Sequence, residues 1–198
     1  MDLATRPSDP LATRALTEEF LAALTRRRAT GTAVAASACA AACVGQLRAW
    51  GARRALLPDD PWLAELGLPH AIATAGIEVV TWPAGRGWRE LLGLDDAPLT
   101  CAVTIPTAAV AERGTLVIAG SPRHGRAADA VGWWHLALLR AEVILPTLAD
   151  ALRETYRPGR DLPSGVSLVS GPSRTSDVEK ITTYGAHGAL AEHVLVVA

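Results

Sequence analysis

Cysteine is scarce in this chain of 198 residues, with only Cys39, Cys43 and Cys101. Three scattered thiols exclude a disulfide framework and fit a reducing compartment. They also exclude a self-contained four-iron cluster, which needs a Cys-x-x-Cys-x-x-Cys run. Lysine is scarcer still: Lys180 stands alone against many Arg and Ala, an imbalance that reads as codon bias. Charge of one sign is not in excess. A net charge of −1 gives no support for a general nucleic-acid binder. No apolar run reaches the ~20 residues of a membrane-spanning helix. The nearest approach, residues 32–44, follows Arg26-Arg27-Arg28 and mimics a secretion signal. The preceding residues include Glu18 and Glu19, which suits a buried amphipathic helix, and a soluble, cytoplasmic protein is expected. A dinucleotide fingerprint is missing too: Gly85-Arg86-Gly87 begins one, but Glu90 stands where the third Gly belongs. His70, His124, His135 and His193 lack metal-ligand spacing, and Cys39 and Cys43, at i and i+4, read as one core-facing helix stripe. No metal site is expected.

What is present is alternation. The length fits a single domain spanning 1–198, with residues 1–50 as its helical N-terminal part. Apolar spacing predicts helices over 10–27 and 32–50, short helices over 62–66, 70–75 and 107–112, and a helix over 142–156 with Pro146 in its first turn. Strands are predicted over 54–57, 77–82, 101–105, 115–119, 134–139, 166–169 and 193–197. Strands alternating with helices argue for an α/β fold with a mainly parallel sheet and helices on both faces. The segments 83–87, 121–127 and 158–164 read as surface connections. The stretches 170–175, 119–126 and 106–107 each follow a strand, where ligands gather in open parallel sheets.

The most informative stretch runs from Val166 to Lys180. Val166-Ser167-Leu168-Val169 reads as a buried strand and Gly171-Pro172 ends it. Ser176-x-x-Glu179 is a capping box that starts a helix. Free N–H groups and the positive helix end beside Arg174 make this an anion-holding corner, expected at the carboxyl end of an interior parallel strand. Small polar residues are also ordinary turn formers. Ser173 does not sit in a hydrolase elbow, because Thr175 occupies the last Gly position of Gly-x-Ser-x-Gly.

The run Gly171-Pro172-Ser173-Arg174-Thr175-Ser176-Asp177-Val178-Glu179, then Gly185-Ala186-His187-Gly188, then a final apolar strand, resembles the C-terminal signature of the lactate-utilisation protein C family, the LUD domain. Ala111-Glu112-Arg113-Gly114-Thr115, before a strand, resembles a second element of that family. Arg113 replaces its usual Thr, and Ala189 its usual Pro. The resemblance covers roughly residues 50–198. It implies a three-layer α/β fold like that of the NagB/RpiA/CoA-transferase group. It also implies ligand contacts from Gly171, Ser173, Arg174, Thr175 and Arg113, and catalytic candidates in Glu112 and His187.

The residues themselves leave alternatives open. Glu112 lies in Glu-x-Gly, the setting of the nucleophile in fold relatives that transfer coenzyme A. It also reads as a solvent-facing helix end before a Gly114 cap. His187 suits a general base or ligand-orienting group, or a helix C-cap. Arg123, His124 and Arg126 form a basic loop that reads first as solvated. The resemblance implies a component of a system converting L-lactate to pyruvate beside iron–sulfur partner proteins. This chain would bind a small carboxylate and carry no cofactor itself. The alternative is a stand-alone enzyme on an acyl-CoA or phosphorylated metabolite using Glu112 or His187. A regulatory or assembly subunit is the third possibility.

Overall fold

The computed structural model describes residues 9–82, 99–125, 129–130, 132–159, 161–175, 183–185 and 187–198. Its backbone is a six-stranded sheet in which every neighbouring pair is parallel. The order is β1 (Thr30–Val34), β12 (Ala191–Val197), β7 (Trp134–Arg140), β4 (Thr100–Thr104), β2 (Arg54–Leu57) and β3 (Glu78–Thr81). A second sheet of four strands has the order β8 (Ile144–Leu145), β5 (Ala108–Val110), β6 (Thr115–Ala119) and β9 (Val166–Val169). The two-residue strands β10 (Arg174–Thr175) and β11 (Thr183–Tyr184) pair antiparallel beside them.

Alternation along β7 shows how the layers arise. Leu136 and Leu138 pack with Cys39, Cys43, Leu47, Leu63 and Ile72, on α2 (Ala36–Trp50), α3 (Pro61–Glu65) and α4 (Leu68–Thr74). Ala137 and Leu139 point the other way, into Phe20 and Leu24 of α1 (Pro10–Arg26) and Leu116 and Ile118 of β6. A central strand buried on both faces can be apolar at every position, which is why β7 reads as a continuous run. Helices α2–α4 form one layer, the parallel sheet the second, and α1 with the smaller sheet the third. Helix α5 (Leu148–Thr155) covers the outer face of the smaller sheet through Ala151.

Local signals place the helix ends. Asp9 accepts from the Leu11 amide with Pro10 in the first turn, and Asp60 does the same for Trp62 ahead of Pro61. No helix among the described residues is long and apolar enough to cross a membrane.

The three-layer, mainly parallel α/β reading holds, with four local corrections. Residues 30–34 form an edge strand, so the second helix begins at Ala36; an Ala-rich run carries little information about which conformation it takes. Residues 108–110 are a strand and only 111–113 form a 3-10 turn. Pro146 lies outside a helix, between β8 and Thr147, whose hydroxyl caps α5 at the Asp150 amide, 3.2 Å away. Finally, β9 is not an interior parallel strand. It is the edge of the smaller sheet, antiparallel to β6, with Leu168 48% exposed. Four β-prone residues cannot distinguish edge from interior. The expected helix from Ser176, its Glu179 capping partner, the Gly85–Gly87 pattern and Arg126 lie outside the described residues.

Candidate functional site

Two crevices open at opposite edges of the parallel sheet. The larger, about 940 Å³, lies where β2, β4 and β7 end. Pro58 follows β2, Ile105 to Thr107 follow β4, and Arg140 closes β7 ahead of Glu142 and Val143. The smaller sheet contributes Ala119 to His124 after β6. This is the carboxyl edge of the sheet, the usual ligand position in open parallel folds. Two of the three strand-following segments, 106–107 and 119–126, meet here, the second through residues 119–124.

The charged groups of this crevice are fixed in different ways. The Arg140 guanidinium lies 4.0 Å over the Trp62 ring, which holds it by cation–π attraction. Arg123 is exposed at the rim, in a turn closed by two backbone bonds between Ser121 and His124. His124 is buried, and its Nε2 has no protein partner among the described residues. Burial pushes its pKa below the ordinary histidine range. Asp129 and Asp60 oppose that shift, and His135 adds to it. Asp60, Glu142 and Asp161 supply the opposite sign. The basic loop that reads as solvated therefore has one residue turned inward.

The smaller crevice, about 170 Å³, lies at the amino edge. Ser170, Gly171 and Ser173 come to it from the chain after β9, and His187 and Gly188 from the approach to β12. Ser173 Oγ accepts from the His187 amide at 3.3 Å, so these two predicted residues do come together. Gly171 is required there, because a Cβ would strike the Arg27 carbonyl. Asp129, His135 and Glu192 also line it, and no motif in the sequence marks any of them. Only the parallel register, which sets His135 directly beside Glu192, brings the last two together.

The remaining candidates are elsewhere. Arg174 is exposed and does not line the crevice that holds His187, and neither does Thr175. Glu112 and Arg113 line neither crevice. They pair with each other at 3.3 Å on the surface, in the 3-10 turn packed against α1. Gly114 takes a left-handed conformation there, as its reading as a cap requires. Cys39, Cys43 and Cys101 are fully buried in the core between the helical layer and the sheet, and burial raises the pKa of all three thiols. Among the described residues, no group of three or more His, Cys, Asp or Glu side chains is placed to hold a metal ion.

Comparison with known proteins agrees with this architecture. The family model described as LUD domain matches residues 17–197, so the chain belongs to the LUD domain family. It is 28% identical over 177 residues to the uncharacterized protein YkgG of Escherichia coli K12, covering 88% of this chain and 74% of that one. It is 26% identical to lactate utilization protein C of Halalkalibacterium halodurans, covering 76% of this chain and 65% of that one. The corresponding protein of Bacillus subtilis is 27% identical over 71% of this chain. This chain spans 61% of the Bacillus subtilis protein. A crystal structure of a DUF162 family protein from Deinococcus radiodurans superimposes with a TM-score of 0.68 at 21% identity, covering 96% of this chain and all of the other. That likeness concerns the fold alone.

Proposed function

We propose that this chain is a component of an L-lactate utilisation system, acting with iron–sulfur partner proteins in the conversion of lactate to pyruvate and binding a small carboxylate. Relatives named lactate utilization protein C, aligned over 71–76% of the chain, support the pathway. The observation that carries the binding role is the carboxyl-edge crevice. It offers Arg123 and Arg140 together with a buried His124 nitrogen that has no partner among the described residues. Guanidinium groups recognise carboxylates through paired N–H donors. The amino-edge crevice is less suited to an anion, because Asp129 and Glu192 line it with no arginine among its described residues, whereas Asp60, Glu142 and Asp161 share the larger crevice with two. The iron–sulfur clusters belong to partners in this reading. The three thiols of this chain sit in an apolar core with raised pKa, and cluster ligation needs thiolates at a common site.

Calorimetry with L-lactate and pyruvate tests the binding site. Arg123→Ala and Arg140→Ala each weaken binding about tenfold to hundredfold, the loss of a charge-assisted contact of ~1.5–3 kcal/mol. Arg174→Ala leaves it unchanged. A larger loss in the Arg174 variant would move the site to the 171–175 loop, and no binding by the parent chain would remove the carboxylate role. Anaerobic purification with iron analysis and lactate-dependent dye reduction tests the partner requirement. Stoichiometric cluster iron, or turnover by the chain alone, would overturn it.

A further inference from the structure

The His135–Glu192 pair is the most unusual polar feature of the interior. Both side chains are 1% exposed, and Nδ1 of His135 lies 3.5 Å from Oε2 of Glu192. His135 Nε2 is anchored on the Thr104 hydroxyl at 2.8 Å. Two atoms are left over: His135 Nδ1 and Glu192 Oε1 are buried without a hydrogen-bond partner among the described residues. Both residues line the amino-edge crevice. A buried carboxylate oxygen without a donor is costly, and proteins keep such groups where something else completes them.

The other polar groups of the wall are largely committed within the protein. The Ser170 hydroxyl bonds Thr115 at 2.7 Å, Ser173 accepts from the His187 amide, and one oxygen of Asp129 accepts from Ser167 at 3.3 Å. The capacity left over is that of carboxylate acceptors: Glu192 Oε1 has no partner among the described residues and Asp129 brings a second carboxylate, while His135 Nδ1, 3.5 Å from Glu192 Oε2, is placed to face the Glu192 carboxylate as a donor. Two carboxylates face the space with two histidines, His135 and His187. Arg27, whose carbonyl abuts Gly171, is itself exposed. The volume corresponds to roughly six waters at ~30 Å³ each.

We propose that this crevice is a second ligand site, distinct from the carboxylate site, and that it takes a small molecule bearing a primary ammonium group. An ammonium nitrogen supplies N–H donors that the carboxylates of Glu192 and Asp129 can accept. Positive charge compensates the buried carboxylate, which an uncharged alcohol does not do. An anion placed there is repelled by both Asp129 and Glu192. The inference does not rest on the lactate reading, because it uses a different crevice and the opposite charge preference.

Ethylammonium, ethanol and acetate serve as probes of similar size and different charge. Each is titrated into the whole protein while the ring resonances of His135, assigned by their loss in His135→Gln, are followed by NMR at constant ionic strength. Ethylammonium shifts these resonances saturably. Ethanol and acetate do not. Glu192→Gln keeps the shape of the site, removes its charge, and weakens ethylammonium binding roughly tenfold or more. If that variant does not fold, Asp129→Asn, at the half-buried rim, supplies the same test with the same direction. Acetate or ethanol binding as tightly as ethylammonium, no saturable shift with ethylammonium, or unaltered affinity in the charge-removing variant would each overturn the assignment. Lactate binding at the carboxyl edge is measured separately with the Arg123 variant, so failure of one reading is distinguishable from failure of the other.

Discussion

Substituting Gly114 by Ala separates the structural meaning of the Glu-x-Gly element from its catalytic one. Gly114 has φ of +61°, and an added Cβ would lie 2.7 Å from the Leu24 amide nitrogen and 2.8 Å from the Ala23 carbonyl carbon. Both are backbone atoms of α1, so no side-chain rotation relieves the contact. Gly51, at the end of α2, is the matched control: its φ is +71° and nothing lies within 4 Å of an added Cβ. At Gly51, Ala carries only the left-handed backbone cost, roughly 1–2 kcal/mol. At Gly114 the same cost is joined by displacement of a packed helix, for which overpacking gives roughly 1–3 kcal/mol more. Gly114→Ala should therefore lose about 2–5 kcal/mol and Gly51→Ala about 1–2. In a chain of this size that corresponds to ~2–4 °C in Tm per kcal/mol. Urea unfolding of both variants measures the difference, read from midpoints at an unchanged slope. Equal losses would refute the close approach of α1 to the turn. The companion variant, Glu112→Gln, should leave both stability and carboxylate affinity unaltered, because its only side-chain partner among the described residues is the exposed Arg113. A large loss of binding in Glu112→Gln would restore it as a site residue.

Three further outcomes follow from particular contacts. The pKa of His124 is lowered chiefly by burial, so between ~6.5, the unfolded value, and its lower folded value, the unfolded chain holds more protons. Stability should fall as pH drops through that window, and His124→Gln should flatten the fall without abolishing it, since burial lowers His193 as well; identical pH profiles for parent and variant would contradict this. Thr104→Val leaves His135 Nε2 without its partner in a buried setting and should cost ~1–3 kcal/mol in chemical denaturation, with Thr104→Ser losing less. Trp62→Leu removes the ring beneath Arg140; it should weaken carboxylate binding in the parent but add little in an Arg140→Ala background, a coupling that a double-mutant cycle reads directly.

Some of this architecture is legible in the residues, and the limits have physical causes. The strands β2, β4, β6, β7 and β12 announce themselves because β-branched and apolar runs end at Pro, Gly or charged residues. The short strands β5 and β8 do not, since two or three residues have no periodicity of their own and owe their conformation to pairing. Within the candidate site, Ser173 and His187 meet as expected. The Arg174 expectation depended on a corner at the end of a parallel strand, whereas β9 is an antiparallel edge. His124 is hidden in a loop whose two arginines suggest solvent. The partnership of His135 and Glu192 is invisible locally because it comes from the pairing of β7 with β12.

The two sheets also favour the carboxyl edge as the place for the proposed carboxylate site. The chain crosses from the parallel sheet to the smaller one twice along that edge, from β4 to β5 through 105–107 and from β7 to β8 through the 3-10 turn at 141–143. Each crossing is pinned at both ends by hydrogen-bonded strands, since β5 pairs with both β6 and β8 while β4 pairs with both β2 and β7. One wall of the crevice is thus built on ladders, with Arg140 emerging from the last position of a seven-residue strand. The opposing wall, residues 161–164, is tied down by bonds such as that from the Ser164 amide to the Gly120 carbonyl. A wall built on strands and carrying Arg140, facing a loop wall, suits recognition of a common carboxylate head on ligands of different length. Shortening the 161–164 wall should therefore change which carboxylates bind more than how tightly the carboxylate head itself is held.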